Sequence, residues 1–262
     1  MYAKILKLAV PAILNNIVRM LMEVINLSMI GHLNNPAMVA GVGMGNMTIN
    51  MLGLSLIMGF NSALDTLISQ GAGANRLELC GVFRNRGMFF VCLLFIPIFI
   101  VLRNSYFILV TIGQHKDVAK YSQEYILAFL PGLFLNAIGE CQLRFLNNLG
   151  KTQISFFCSF VGVAIHLVCS YFLVIEWNYG LQGTGISLSI AYLVMLLQML
   201  IYAYFQDDIK EAMFCPDLRV FEDLGAYFWL GLPSAIMIVL DQWAYEILIL
   251  LAGLWTVEEQ AA

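Results

Sequence analysis

Charge is what this sequence has least of. Asp, Glu, Lys and Arg together make up 11% of its 262 residues, where a water-soluble domain carries about a quarter. That shortage excludes an ordinary soluble enzyme and a disordered chain, both of which depend on solvated charge. Basic residues are outnumbered, 13 Lys and Arg against 17 Asp and Glu, so no electropositive footprint for nucleic acid exists. The six cysteines show no CxxC spacing and no histidine at ligand distance. Five of them lie in or at the ends of apolar runs, where Cys acts as a small hydrophobe, and neither a disulfide framework nor a metal site is expected. Nucleophile-elbow, P-loop and HExxH motifs are all missing. Enzymatic activity is therefore not expected. With no ATP engine in the chain, any uphill transport must draw on an ion gradient or on a partner.

What the sequence has is apolar length. Hydrophobic residues make up 61% of it and its mean hydropathy is +0.83. A helix needs about 20 mostly apolar residues to cross a bilayer. Seven such runs stand at roughly 5–30, 37–69, 80–102, 118–146, 154–177, 181–205 and 229–255. The first continues to Ile30 without a small-residue cleavage site, so it reads as a retained span rather than a signal peptide. The expected fold class is all-α, a polytopic membrane protein. Lys4, Lys7, Arg76, Arg84, Arg86, Arg144, Lys151, Lys210 and Arg219 flank one side, while Arg103, Lys116 and Lys120 flank the other. The basic excess places the N-terminus in the cytoplasm. Trp229 and Trp255 bracket the seventh run about 39 Å apart as a helix, matching the two membrane interfaces.

Two short segments echo each other. Lys7-Leu8-Ala9-Val10-Pro11-Ala12 opens the first run and Trp229-Leu230-Gly231-Leu232-Pro233-Ser234 opens the seventh. A parallel repeat of a six-helix unit has this form. The expected organisation is a six-helix unit over residues 1–205, a cytoplasmic linker over 206–228 and the first helix of a second unit over 229–262. The linker, acidic from Asp207 to Asp223, reads as a solvated connection between units.

Polar groups inside apolar runs need a reason, because a charge at mid-bilayer costs about 2.5–3.5 kcal/mol on insertion scales. The seventh run holds Asp241-Gln242-Trp243-Ala244-Tyr245-Glu246 near its middle. The two carboxylates are ~140° apart on a helix and face different walls. Tyr245 lies one turn from Asp241, and Gln242 one turn from Glu246, as hydrogen-bond candidates. A carboxylate in a partly dry cavity exchanges protons nearer neutral pH, which a proton relay requires; the bland alternative is interhelical glue. Asn46, Asn50, Asn61 and Asp65 fall within a ~100° sector of the second run, either lining a cavity or bonding across helices. Gly41 and Gly45 form a small-xxx-small pair for close packing. One-turn spacing pairs Arg19 with Glu23 and Glu140 with Arg144, both read as structural. His166 reads as a satisfied interhelical group.

Taken together, Gly31-His32-Leu33, the run from Asn61 to Ala74 (NSALDTLISQGAGA), Leu232-Pro233-Ser234-Ala235 and Asp241 to Ile247 (DQWAYEI) resemble the eukaryotic branch of the MATE family (multidrug and toxic compound extrusion). The order and spacing fit along nearly the whole chain. The resemblance implies twelve helices in two six-helix lobes around a central cavity, with this chain holding the N-terminal lobe and the seventh helix. It implies secondary active antiport of H+, or Na+, against organic, cationic solutes, with no cofactor beyond the coupling ion. Asp241 stands where the family usually has Glu, Glu246 matches its second acid, and Gln242 replaces its usual first Trp. Asn16 and Asn50 match polar residues of its first and second helices. Asn26 stands where the bacterial branch has a coupling Asp, so coupling through the first lobe is not expected. Substrate or proton binding is thereby assigned to Asp241, Glu246, Tyr245, Asn16 and Asn50, with Asn46, Gln242 and Trp243 as candidate cavity lining. The implied partners are membrane lipid, a small organic cation and the five helices absent after the seventh. The implied setting is a plasma or vacuolar-type membrane. Two rivals stand beside this reading: a truncated, non-transporting fragment that binds partner helices, and a lipid-linked flippase, which would need a basic cavity where only Arg19 lies deep.

Overall fold

In the computed structural model, residues 2–33 and 35–252 are described, with side chains for 9–33 and 35–245. Among the described residues seven helices are long and apolar enough to cross a membrane. They are α1 (Tyr2–Gly31), α2 (Pro36–Gly73), α3 (Leu77–Arg103), α4 (Lys116–Asn148), α5 (Thr152–Glu176), α6 (Gly180–Phe205) and α7 (Leu224–Ala252). Each matches one apolar run of the sequence, because only a helix satisfies every backbone group within its own segment in lipid.

The local chemistry explains the boundaries. Asn35 caps α2, its side chain accepting from the amides of Ala37 and Met38, with Pro36 at the first turn. Midway, α2 widens into a π-turn at Asn50–Leu54, and α5 ends in another at Tyr171–Glu176. A short helix, Ser105–Thr111, joins α3 to α4. The seventh helix begins at Leu224, five residues before the onset read from hydropathy. There the chain turns through Asp223 in the left-handed region (φ 53°), and the buried Tyr227 hydroxyl donates to the carbonyl of Phe60 on α2 at 3.2 Å. That anchor draws an extra turn into the helix.

Packing centres on α4, which touches α2, α3, α5 and α6; α1 lies mainly on α5, and α7 on the second half of α2. The α2–α4 crossing confirms the small-residue pair. A Cβ on Gly41 would sit 2.5 Å from that of Tyr121, and one on Gly45 would meet the Tyr125 ring at 2.7 Å, so the backbones approach as only glycine allows. At the N-terminal end of α7, Phe60, Phe90, Tyr227 and Phe228 form an aromatic cluster with centroids 5.0–6.3 Å apart. Although α1 and α7 echo each other in sequence, their neighbours differ: α5 for one, α2 for the other.

The linker is docked through its main chain, while most of its side chains stay exposed. Arg84 and Asn85 at the start of α3 both donate to the carbonyl of Phe214, and Arg86 donates to that of Arg219 at 3.0 Å. Both arginines are buried, instead of standing as membrane-flanking charges. Gly81 lets the Ala212 carbonyl come so close that a Cβ would sit at 2.3 Å. Arg219 reaches Glu78 at 2.7 Å, and Lys151 reaches Asp208 at 2.5 Å. The Lys151 hydrogen bond lowers the Asp208 pKa below the ordinary carboxylate value. The acids of the linker are mostly exposed, as a solvated connection requires; what its sequence does not announce is the docking of its main-chain carbonyls.

Candidate functional site

Two polar systems lie within the spans, one inside the six-helix lobe and one on α7. Inside the lobe, ion pairs form between helices and not along them. Arg19 on α1 pairs with the buried Glu140 on α4 and also donates to Asn136 at 3.0 Å. Arg144 on α4 pairs with Asp65 on α2, which accepts from Asn148 as well at 2.8 Å. The expected one-turn pairs, Arg19 with Glu23 and Glu140 with Arg144, are thus replaced. Along an exposed helix a one-turn pair is the nearest partner; in a bundle, a neighbouring helix about 8–10 Å away presents the acid to a long guanidinium stem. Glu23 is exposed and makes no ion pair among the described residues.

The polar stripe of α2 turns towards α4. The Tyr125 hydroxyl donates to Asn46 at 2.7 Å and accepts from Asn26 of α1 at 3.4 Å, linking three helices. Cys141 donates to the buried Asn61 at 3.4 Å. A cavity of about 10 Å³ beside Arg19, Glu140 and Tyr192 has room for about one water. With Arg19 neutralised by Glu140, the lobe offers no basic pocket there for a pyrophosphate-linked lipid. His166 is buried within hydrogen-bond reach of Ser170, which meets Ser187 of α6 at 2.8 Å. Sequence reasoning passed over Tyr125 and Asn136. A signal existed: Asn136, Glu140, Arg144 and Asn148 recur every four residues, and that spacing winds around a helix by about 40° per step. The stripe therefore serves α1 first and α2 last.

On α7 burial fades with distance along the helix. Tyr227, Gly231 and Ala235 are buried, Ile238 and Val239 are half-buried, and every residue from Leu240 to Tyr245 is exposed. Asp241 lies where the helix loses its cover. No ion-pair or hydrogen-bond partner for it occurs among the described residues, and the expected bond from Tyr245, itself 63% exposed, is not made. Trp243 alone reaches back, its indole Nε1 donating to the carbonyl of Met51 in the π-turn of α2. Asn50, next to Met51, is half-buried and opens that turn. Gln242 is exposed, as is Asn16 on α1, while its neighbour Asn15 is buried. The side chain of Glu246 lies outside the described residues. The structure thus brings Trp243 to the Asn50 turn, and leaves Asp241 exposed, with no ion-pair or hydrogen-bond partner among the described residues.

The MatE family model matches residues 11–172. The chain belongs to the MATE family. Protein DETOXIFICATION 16 of Arabidopsis thaliana is 30% identical over 252 residues, covering 96% of this chain and 51% of its own length. Protein DETOXIFICATION 12 of the same plant is 28% identical, covering 91% of this chain and 49% of itself. The crystal structure of the eukaryotic MATE transporter AtDTX14 superposes with a TM-score of 0.91 at 27% identity, over 99% of this chain and 57% of that one. An outward-facing multidrug resistance MATE family transporter shares the fold at a TM-score of 0.79 and 18% identity, over 95% of this chain and 54% of that one. The chain spans about half the length of the curated relatives it matches. Both of those solved structures are of MATE transporters, and the MATE chain described here is an integral multi-pass membrane protein with the AtDTX14 fold across one lobe and the following helix.

Proposed function

We propose that this MATE chain contributes the first lobe and the seventh helix of a secondary active antiporter, one that exports small organic, positively charged solutes in exchange for protons. The observation that carries the reading is the position of Asp241: a carboxylate with no cation partner among the described residues, within an apolar span, where α7 parts from α2. Cation and proton compete for that carboxylate. Solute binds the ionised form from the cytoplasm, the side to which the basic flanks assign the N-terminus. The lobes rock, and a proton from the far side neutralises Asp241 and releases the solute. Trp243, one position beyond Gln242, offers a ring face to an organic cation. Hydrogen-bonding roles in binding go to Asn50, Gln242 and Tyr245 and to Asn16 on α1, with Glu246 as a second acid further along the helix. Sodium is the alternative coupling ion. The setting is a plasma or vacuolar-type membrane.

Equilibrium binding of ethidium to the purified chain in lipid nanodiscs, read by fluorescence across pH 5–8, tests this reading. Affinity is expected to fall on acidification and to drop at least about tenfold in Asp241→Asn, the loss of one charge-assisted contact. Binding insensitive both to pH and to that substitution removes the mechanism. The same titration against sodium separates the two coupling ions.

A further inference from the structure

A second site lies away from α7, on the lipid-facing seam between α3 and α4. A groove of about 360 Å³ runs there, lined by Phe95 and Phe99 of α3 and by Leu127, Pro131 and Phe134 of α4, with Arg103 at one end. Phe95 and Phe134 meet edge to face at 5.0 Å. From Phe95 to Arg103 the groove covers about 12 Å of helix, the length of a substantial part of an acyl chain.

Its polar end is basic. Gln123 donates to the Arg103 carbonyl at 2.7 Å, which fixes the register between the end of α3 and the first turns of α4. In that register Lys116, Lys120, Gln123, Leu127 and Phe134 follow one another at steps of three, four or seven along the same face of α4. The face that forms the groove wall therefore carries two lysines above it. Arg103 and Lys120 are both exposed, and neither forms an ion pair among the described residues. The acids at this end are engaged elsewhere: Asp117 faces His115 at 3.6 Å, and Glu124 accepts from Gln182 of α6 at 3.2 Å.

From this arrangement we infer that the α3–α4 groove is a binding site for an anionic phospholipid, with one acyl chain between the phenylalanines and the phosphate on Arg103 and Lys120. An apolar channel alone would accept any lipid. Basic side chains at the height of the headgroups favour the anionic one, each by about fivefold at a membrane surface. The guanidinium can hold the phosphate through two parallel N–H donors. This inference does not depend on the transport reading, since it uses neither α7 nor Asp241.

Native mass spectrometry of the detergent-solubilised chain tests it, with dioleoyl phosphatidylglycerol and dioleoyl phosphatidylcholine titrated separately. The wild type is expected to bind the glycerol lipid at least about fivefold more tightly. Arg103→Gln should cut that preference about fivefold, and Arg103→Gln combined with Lys120→Gln should bring the affinity down to that of the choline lipid. Leu127→Trp, which fills the groove and leaves every basic residue in place, should weaken both lipids. Equal affinity for the two lipids in the wild type, or a preference that survives the combined Arg103→Gln and Lys120→Gln substitution, overturns the inference. So does full displacement of bound lipid by millimolar inorganic phosphate, which would show that the acyl groove adds nothing. Arg103 is exposed and Leu127 is 38% exposed, so neither substitution disturbs the core, and elution as a single species confirms that the variants are folded.

Discussion

The indole Nε1 of Trp243 on α7 donates to the carbonyl oxygen of Met51 on α2 at 3.1 Å, and the same oxygen accepts from the Ser55 hydroxyl at 2.8 Å. Met51 lies in the π-turn at Asn50–Leu54. A π-turn shifts backbone bonding from the fourth residue to the fifth, as in the bond from the Ser55 amide to the Asn50 carbonyl. The shift leaves a carbonyl in mid-membrane for side-chain donors to satisfy. The contact therefore ties α7 to α2 at the level of Asp241, two residues away.

Trp243→Phe keeps the ring and removes the donor. The cost to stability is expected to be small, about 0.5–1 kcal/mol for one partly exposed hydrogen bond. Hydrogen exchange at the amides around Leu54 and Ser55 should rise at the same time. Unchanged exchange there would show that the indole is not what secures the π-turn.

The Arg19–Glu140 pair gives a sharper contrast. Arg19→Met leaves Glu140, 5% exposed, as a buried acid without its cation, and about 3 kcal/mol or more of destabilisation is expected. Arg19→Met combined with Glu140→Leu removes both charges and should recover most of that loss. Unfolding in mixed detergent micelles measures both variants. If the double variant is as unstable as the single one, the pair does not act as a unit.

Gly41→Ala would push a methyl group to within 2.5 Å of the Tyr121 Cβ and 3.2 Å of the Ser122 amide nitrogen, neither of which is a flexible chain end. A loss of about 1–3 kcal/mol follows from overpacking. Gly43→Ala, two residues on and facing open space, should be neutral or stabilising by up to about 1 kcal/mol through helix propensity. Thermal unfolding of the two variants side by side decides the point.

At the linker, pH dependence has a definite sign. The Lys151 hydrogen bond lowers the Asp208 pKa in the folded chain. The contribution of the pair is thus fully present above the ordinary carboxylate value of about 3.9, and it is lost as pH falls through the lower, folded value. Because Asp208 is about half exposed, the effect is modest. Lys151→Met should flatten the acid limb of a stability profile below pH ~4 and lower stability slightly at neutral pH. A profile identical to wild type would mean that the contact carries no free energy.

Much of this molecule is legible in the sequence, and the failures share a cause. The seven spans follow from apolar length alone, since lipid leaves the backbone no other way to bond. Gly41 and Gly45 announce a close crossing. Asp241 announces itself by being charged where charge is expensive. Partner choice does not follow from sequence. Arg19 has Glu23 one turn away, and Arg144 has Glu140, yet both reach across to other helices, because a bundle offers laterally what the chain offers longitudinally. Met51, Phe214 and Arg219 matter here through their carbonyl oxygens, and every residue has one. No letter of the sequence marks which of them will be used.

Much of the clamp on the linker acts on atoms that are the same in every amino acid. Evolution can accordingly rewrite the exposed, unpaired side chains of the connecting segment with little penalty, provided the route of the main chain and the buried Ile209, Ala212 and Val220 are kept. Intolerance to change should instead concentrate on the opposite surface, at Arg84, Asn85, Arg86 and Gly81. The segment's freedom to diverge and the constancy of its path are two results of the same set of contacts.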